Sequence, residues 1–451
     1  MSDPDPTRAD RVPRPGDRAV SPVVGAVLML AVLLLAVTVI QVTAIPILNA
    51  QHEFEHRQAV QADMVRLDTA VDRVAATGRG ETATVDVGVR YPERLLFVNP
   101  PPVSGTLGTS ASRSVTIANA VAAGETGDYW NGDARTFTTT TLVYSPSYNE
   151  YGNAPTTVYE PWVVYNRMGG GGGMAALTET DLVEGRQISL VALDGEYSRS
   201  TTRTVGINAV PNSAPVNTVT VRNETAPIPL TVETGLQEDA WARLLDDELD
   251  RDGAGDDRYV TGFDCRQAPP EPCGELTLTL EPGTYELRLG EVAVGSGSSR
   301  EGAAYLTAVE GSDASVPETG RQRLVVEARD RFDNPVSGVT VTGTLEGDDG
   351  TLRTVTPVTE NDGRAVFVYE APENVDGTRT VTATTRFGAG DQQRTVTFDI
   401  RVVDLGGGGT GDGTDGGATS ASAVEPVGGS VDSRNIAGGD RGREASFAIT
   451  A

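Results

Sequence analysis

The hydrophobic pattern of the chain changes character several times between its ends. From Pro22 to Ile40 almost every residue is apolar, without periodicity, and no formal charge falls between Ala19 and Gln51. As a helix this run reaches about 28 Å, one hydrocarbon core, and it predicts a membrane-spanning helix over residues 20–45. After Pro46 polar residues enter, and Val60, Met64, Leu67, Val71 and Val74 recur at alternating spacings of four and three. That is the stripe of an amphipathic helix, here a stalk over 46–78 with Gly78 as its C-terminal cap.

From Glu81 onward the period drops to two. Runs such as TFTTTTLVY, RQISLVAL, NTVTVRN and ELTLTL, divided by Gly, Pro and Asn, predict an antiparallel β domain over 79–317. One helix interrupts it: Thr234 and Gln237 have the spacing of a capping box, and Trp241, Leu244, Leu245 and Leu249 share a face. Residues 318–404 show strand-length runs punctuated by Asp333-Asn334-Pro335 and Asn361-Asp362-Gly363, the pattern of a β-sandwich. Residues 405–451 are dominated by Gly, Ser and Asp and predict a disordered tail. No second apolar span follows, so a free C-terminus is expected. The fold class is α+β, mostly β.

Composition narrows the compartment and the partners. The 451 residues carry 63 acidic and 36 basic side chains, a net charge of −27, and every basic residue other than histidine is arginine. Phosphate binding needs a basic face, so nucleic acid is not an expected partner. Arg8, Arg11, Arg14 and Arg18 precede the apolar run; by the positive-inside rule residues 1–19 are cytoplasmic and the bulk extracellular, with lipid as a partner. Outside the cell, Cys265 and Cys273 in CRQAPPEPC are expected to form a disulfide, and Asn223 in Asn-Glu-Thr is a glycosylation acceptor. The aromatic residues concentrated between Tyr144 and Tyr165 serve either a sheet core or, if exposed, a binding surface.

Two strings carry candidate chemistry. HEFEH, residues 52–56, fits the H-E-x-x-H pattern: His52 and His56 lie on one helical face where both imidazoles can reach a zinc ion, with Glu53 as base on its water. Against this, Glu55 and Arg57 put charge where such enzymes have none, and no third ligand is evident, since Asp63, Asp68 and Asp72 recede along the same helix. The expectation is a non-catalytic stalk with no cofactor, a membrane-tethered zinc hydrolase being the alternative. In DDELDRDGAGDD, Glu248, Asp250, Asp252 and Asp256 take positions 1, 3, 5 and 9 of a calcium loop, but Tyr259 replaces the bidentate glutamate at position 12. The glycine run Gly169 to Gly173 lacks the Lys-Ser/Thr of a phosphate loop and reads as a hairpin loop.

Four resemblances add to this reading. Arg18-Ala19 followed by Ser21-Pro22-Val23-Val24-Gly25 resembles the start of archaeal type IV pilins and pilin-like surface proteins. The resemblance implies cleavage between Ala19 and Val20 by a prepilin peptidase, and other pilin-like subunits or envelope components as partners. Val24 stands where bacterial pilins carry glutamate. The acidic, lysine-free composition resembles that of salt-loving archaea, and RYPERLLFVNPPPVSGTL is similar to a region of haloarchaeal pilin-like proteins. Asp-Asn-Pro-Val, Gly338 to Val341 and Asp362 to Ala365 resemble the bacterial Ig-like group-one domain of invasin- and intimin-type surface proteins. That family's module is a spacer or adhesive unit without catalytic residues. Together they imply a pilin-like structural or adhesion component of the cell surface.

Overall fold

The computed structural model describes residues 22–169, 173–215, 217–223, 225–250, 257–389 and 392–404, which fall in one compact unit. The expected leader, the Ala19–Val20 junction, Asp252, Asp256 and the Gly-rich tail lie outside them.

One helix, α1, runs from Pro22 to Thr77. The two segments read apart at Pro46 are therefore a single element. Proline removes one backbone donor, so the Val42 carbonyl loses its partner, yet the helix continues. Its halves differ completely in environment. Between Val23 and Leu48 most of the large apolar side chains are exposed, Met29 at 79% and Val32 at 66% among them, Ile45 being the buried exception, and this half is long and apolar enough to cross a membrane. In the other half Val60, Met64, Leu67, Val71 and Val74 are fully buried. Burying each such side chain is worth roughly 1.5–3 kcal/mol, which is what holds this half against the sheets. Gly78 ends the helix in the left-handed region, its N–H donating to Val74 O at 2.9 Å.

The body consists of three sheets. The first has the order Glu81–Asp86, Thr204–Ser213, Gly283–Val294, Gln187–Asp194, Val183–Glu184, with Val219–Asn223 also on Gly283–Val294. Gln187–Asp194 runs parallel to Gly283–Val294, an exception within a body whose other described strand pairs are antiparallel, as expected. The long connection between those two strands, which passes through the third sheet, is what permits parallel pairing. The second sheet has the order Ser198–Thr201, Gly105–Thr109, Leu142–Pro146, Thr156–Glu160, Val163–Arg167, Met174–Ala176. The third has Val260–Cys265, Gly274–Leu280, Ile228–Thr234, Arg113–Ile117, Arg135–Thr139. The stripe of α1 shares one core with Val85, Tyr144, Tyr159, Ile207 and Val292 from the first two sheets. Tyr144, Tyr159, Trp162 and Tyr165 are buried, which resolves most of the aromatic cluster as core.

An Ig-like sandwich follows. Its sheets are Tyr305–Glu310, Arg321–Arg329, Arg364–Glu370, Thr351–Thr356 and Ser315–Pro317, Thr395–Val403, Arg379–Arg386, Thr342–Leu345. It begins ahead of residue 318, because Tyr305–Glu310 pairs with Arg321–Arg329 and Ser315–Pro317 with Thr395–Val403. The turn at Asp333-Asn334-Pro335 is not free. Phe332 is buried in the core of the body, 5.0 Å from the Phe137 ring, and Asn334 Nδ2 donates to Ser213 Oγ at 2.8 Å and Leu289 O at 2.9 Å.

Candidate functional site

Where α1 passes from its bare half to its buried half it carries HEFEH. The helical repeat turns His52 and His56 to one side and Glu53 off that side, about 100° from His52 and about 60° from His56. His52 and His56 line an open cleft of about 600 Å³ together with Glu55, Asp86 and Arg90. Within it they face different partners: His52 Nε2 lies 3.3 Å from Arg90 O, and His56 Nδ1 lies 2.8 Å from the Tyr148 hydroxyl. Partial burial lowers the His56 pKa below its ordinary 6.5, against the pull of Asp86, and so favours the neutral imidazole.

Glu53 does not face that cleft. It is fully buried, and both carboxylate oxygens are occupied. Oε1 accepts the Tyr91 hydroxyl and the Asn149 N–H at 2.9 Å; Oε2 accepts the N–H groups of Glu150 at 3.0 Å and Tyr151 at 2.7 Å. Three converging backbone donors and a phenol replace the water that a buried carboxylate would otherwise need. Burial, with the adjacent carboxylate, raises the Tyr91 pKa, so the phenol keeps its proton and remains the donor. Neighbouring residues close on the same loop: the Arg57 guanidinium lies 4.5 Å from the Phe54 ring centre and 5.7 Å from that of Tyr151. HEFEHR is thus a clasp holding residues 148–151 on the helix. The base position of a zinc hydrolase is spent on that loop.

The structure treats the other singled-out residues separately. Glu248 Oε2 accepts the Gly185 N–H at 3.0 Å, which ties a strand turn to the segment after the short helix Glu238–Leu244. Its supposed calcium partners Asp252 and Asp256 lie outside the described residues. Among the described residues no group of three or more His, Cys, Asp or Glu side chains is arranged to hold a metal ion. Asn223 is half-buried; its Oδ1 accepts Ala226 N–H at 2.9 Å and its Nδ2 donates to Asn119 O at 3.0 Å. Cys265 and Cys273 are joined, with Cα atoms 4.8 Å apart. The expected capping box does not form: Gln237 makes no side-chain cap, and Thr234 Oγ1 donates instead to Glu160 Oε2 at 2.8 Å.

Glu160 is a second clasp that sequence reasoning missed. Fully buried, it also accepts the Gly235 N–H at 2.8 Å, the Tyr165 hydroxyl at 2.9 Å and the Arg113 guanidinium, joining the second sheet to the third. Its signal was available: it is the one charge inside the apolar run TTVYEPWVVY. An acidic cleft of about 540 Å³ opens beside α1, lined by Asp68, Asp72, Glu179, Asp181, Glu184 and Asp247. Burial, then repulsion from Asp72 and Asp181, pushes the Asp68 carboxyl up to about 7.

Comparison with known proteins bears on this half of the chain first. The family model described as "Archaeal Type IV pilin, N-terminal" matches residues 18–53, which takes in the bare half of α1 and ends at Glu53. An uncharacterized protein of Archaeoglobus fulgidus is 25% identical over 361 residues, 78% of this chain. The chain spans 58% of the length of that relative. Among solved structures, the D00-D0 domain of intimin is similar at 10% identity and a TM-score of 0.21, covering 41% of this chain and 88% of that one. Domains 1–6 of the surface layer protein SbsC are similar at 10% identity and a TM-score of 0.22, covering 68% of this chain and 53% of that one.

Proposed function

We propose that the chain is a membrane-anchored archaeal cell-surface protein, a pilin-like structural or adhesion component that performs no catalysis. The observation that carries this reading is α1, one helix whose first half is bare and apolar while its second half is built into a β body. In this reading residues 1–19 are a cytoplasmic leader, a prepilin peptidase cuts between Ala19 and Val20, and the β body and Ig-like sandwich stand outside the cell. The acidic, lysine-free surface suits a salt-rich medium, where dense carboxylates keep protein soluble. The occupation of Glu53 by the 148–151 loop supports a structural role for HEFEH over a hydrolytic one.

The test is the N-terminus of the protein in native membranes and in sheared surface filaments, read by peptide mass spectrometry. A chain starting at Val20 is expected, and its presence in the sheared fraction makes it a filament subunit. An intact leader found only in membranes overturns the pilin-like processing and leaves a tethered ectodomain.

A further inference from the structure

The segment Tyr91–Pro101 folds back along α1 to the point where its apolar run ends. Gln41 is the first polar side chain after the apolar run Pro22 to Ile40, apart from Thr38, whose hydroxyl is turned onto Leu34 O at 2.8 Å. Gln41 is bound to the segment by a pair of hydrogen bonds: its Nε2 donates to Val98 O at 2.8 Å and its Oε1 accepts the Val98 N–H at 2.9 Å. Two turns further on, Arg94 Nη1 donates to Asn49 Oδ1 at 2.9 Å. Gln41, Ile45 and Asn49 follow each other at i, i+4 on one face, and Ile45 and Asn49 are buried there. The loop is therefore fixed at the level of residues 41–49.

What it presents at that level is apolar. Leu95, Leu96 and Val98 are exposed at 105%, 76% and 77%. The helix beside them exposes Val42, Ile47 and Leu48 at 69%, 68% and 48%. At about 100° per residue these three fan around the sides of α1 that the loop leaves open. A single docked partner covers one contiguous face; apolar side chains spread around a helix and onto a neighbouring loop suit a medium that wets every side. Left in water, each leucine forgoes roughly 1.5–3 kcal/mol of burial.

We infer that Leu95, Leu96 and Val98 are a second membrane contact, a wedge that enters the outer leaflet beside the exit of α1. The inference rests on the membrane-anchored reading above and adds to it that the β body rests on the bilayer at two points. The exposed Arg90, just ahead of this segment, is a cation suited to anionic phosphate headgroups.

The test uses the full-length protein in phospholipid vesicles. Its two cysteines are bonded to each other, so single cysteines can be labelled without reduction. An environment-sensitive fluorophore is placed at Leu96→Cys, with Val27→Cys on the bare half of α1 and Val309→Cys on the sandwich as references. Expected are loss of emission to nitroxide-bearing lipids at positions 96 and 27, and loss to aqueous iodide only at 309. A label at 96 open to iodide while 27 is quenched from the lipid overturns the wedge and leaves the anchor standing. Iodide access at 27 as well removes the anchor, and the wedge with it. Shielding of 96 from both quenchers that strengthens as protein is added per lipid assigns the segment to a second copy of the chain, and the wedge is then wrong.

Discussion

At the residue scale the informative groups are buried carboxylates. Glu53 holds three backbone N–H groups that donate to no other side chain among the described residues, so Glu53→Gln leaves donors facing an amide NH₂. The expected cost is about 2–4 kcal/mol, with residues 146–155 becoming the first site of limited proteolysis. A hydrolase reading predicts the reverse, unchanged stability with lost activity, so urea denaturation of the variant decides between them. Asp68 behaves in the opposite sense. Its folded pKa of about 7 lies above the ordinary 3.8, so its contribution to stability is complete below pH 3.8 and is lost as pH rises toward 7. Asp68→Asn should therefore raise the melting temperature at pH 8 by about 2–4 °C. The gain should shrink toward pH 4 and in concentrated salt, which screens Asp72 and Asp181. An equal gain at both pH values would show that burial of Asp68 costs nothing electrostatic. HEFEH itself was legible as a string. Its role was not, because the donors that occupy Glu53 come from residues 149–151, nearly a hundred positions away.

At the element scale the two halves of α1 should answer differently to the same substitution. Leu67→Ala opens a cavity between the helix and two sheets and should cost about 2–5 kcal/mol. Leu33→Ala, on the bare half, should leave ectodomain unfolding unchanged in detergent, and equal losses would mean that both halves pack on protein. The stripe at Val60, Met64, Leu67, Val71 and Val74 was readable because helical period and burial coincide there. Continuity through Pro46 was not readable, since proline is a breaker by local rules, and what keeps the helix whole is its length and the segment bound at Gln41 and Asn49. The strand runs were legible by period, whereas the parallel pairing of Gln187–Asp194 with Gly283–Val294 was not. Period fixes which residues face the core and carries no information about which strand lies alongside. The sandwich was found by its internal turns, so its first strands, which precede those turns, fell outside the assigned range.

At the scale of the whole molecule, the question is whether body and sandwich unfold together. Interfaces between domains are commonly polar and permit relative motion. This one has a side chain of one part planted in the core of the other: Phe332 is fully buried against Phe137, the Tyr129 and Tyr305 rings stack 4.8 Å apart, and Arg331 donates to Glu291 at 3.2 Å and Glu301 at 2.9 Å. The three tryptophans, Trp130, Trp162 and Trp241, all lie in the body, so their fluorescence reports the body alone while far-ultraviolet circular dichroism reports both parts. In the unmodified chain the two signals should trace one transition. Phe332→Ala removes the plug at an expected cost of about 3–5 kcal/mol, divided between the parts it joins. The signals should then separate, the fluorescence midpoint marking the body and the remaining dichroism marking the sandwich. If they stay superimposed at a lower midpoint, the polar contacts at Asn334 and Arg331 are sufficient to couple the parts. If they are separate before substitution, the plug does not couple them, and the sandwich swings on the body as a spacer would.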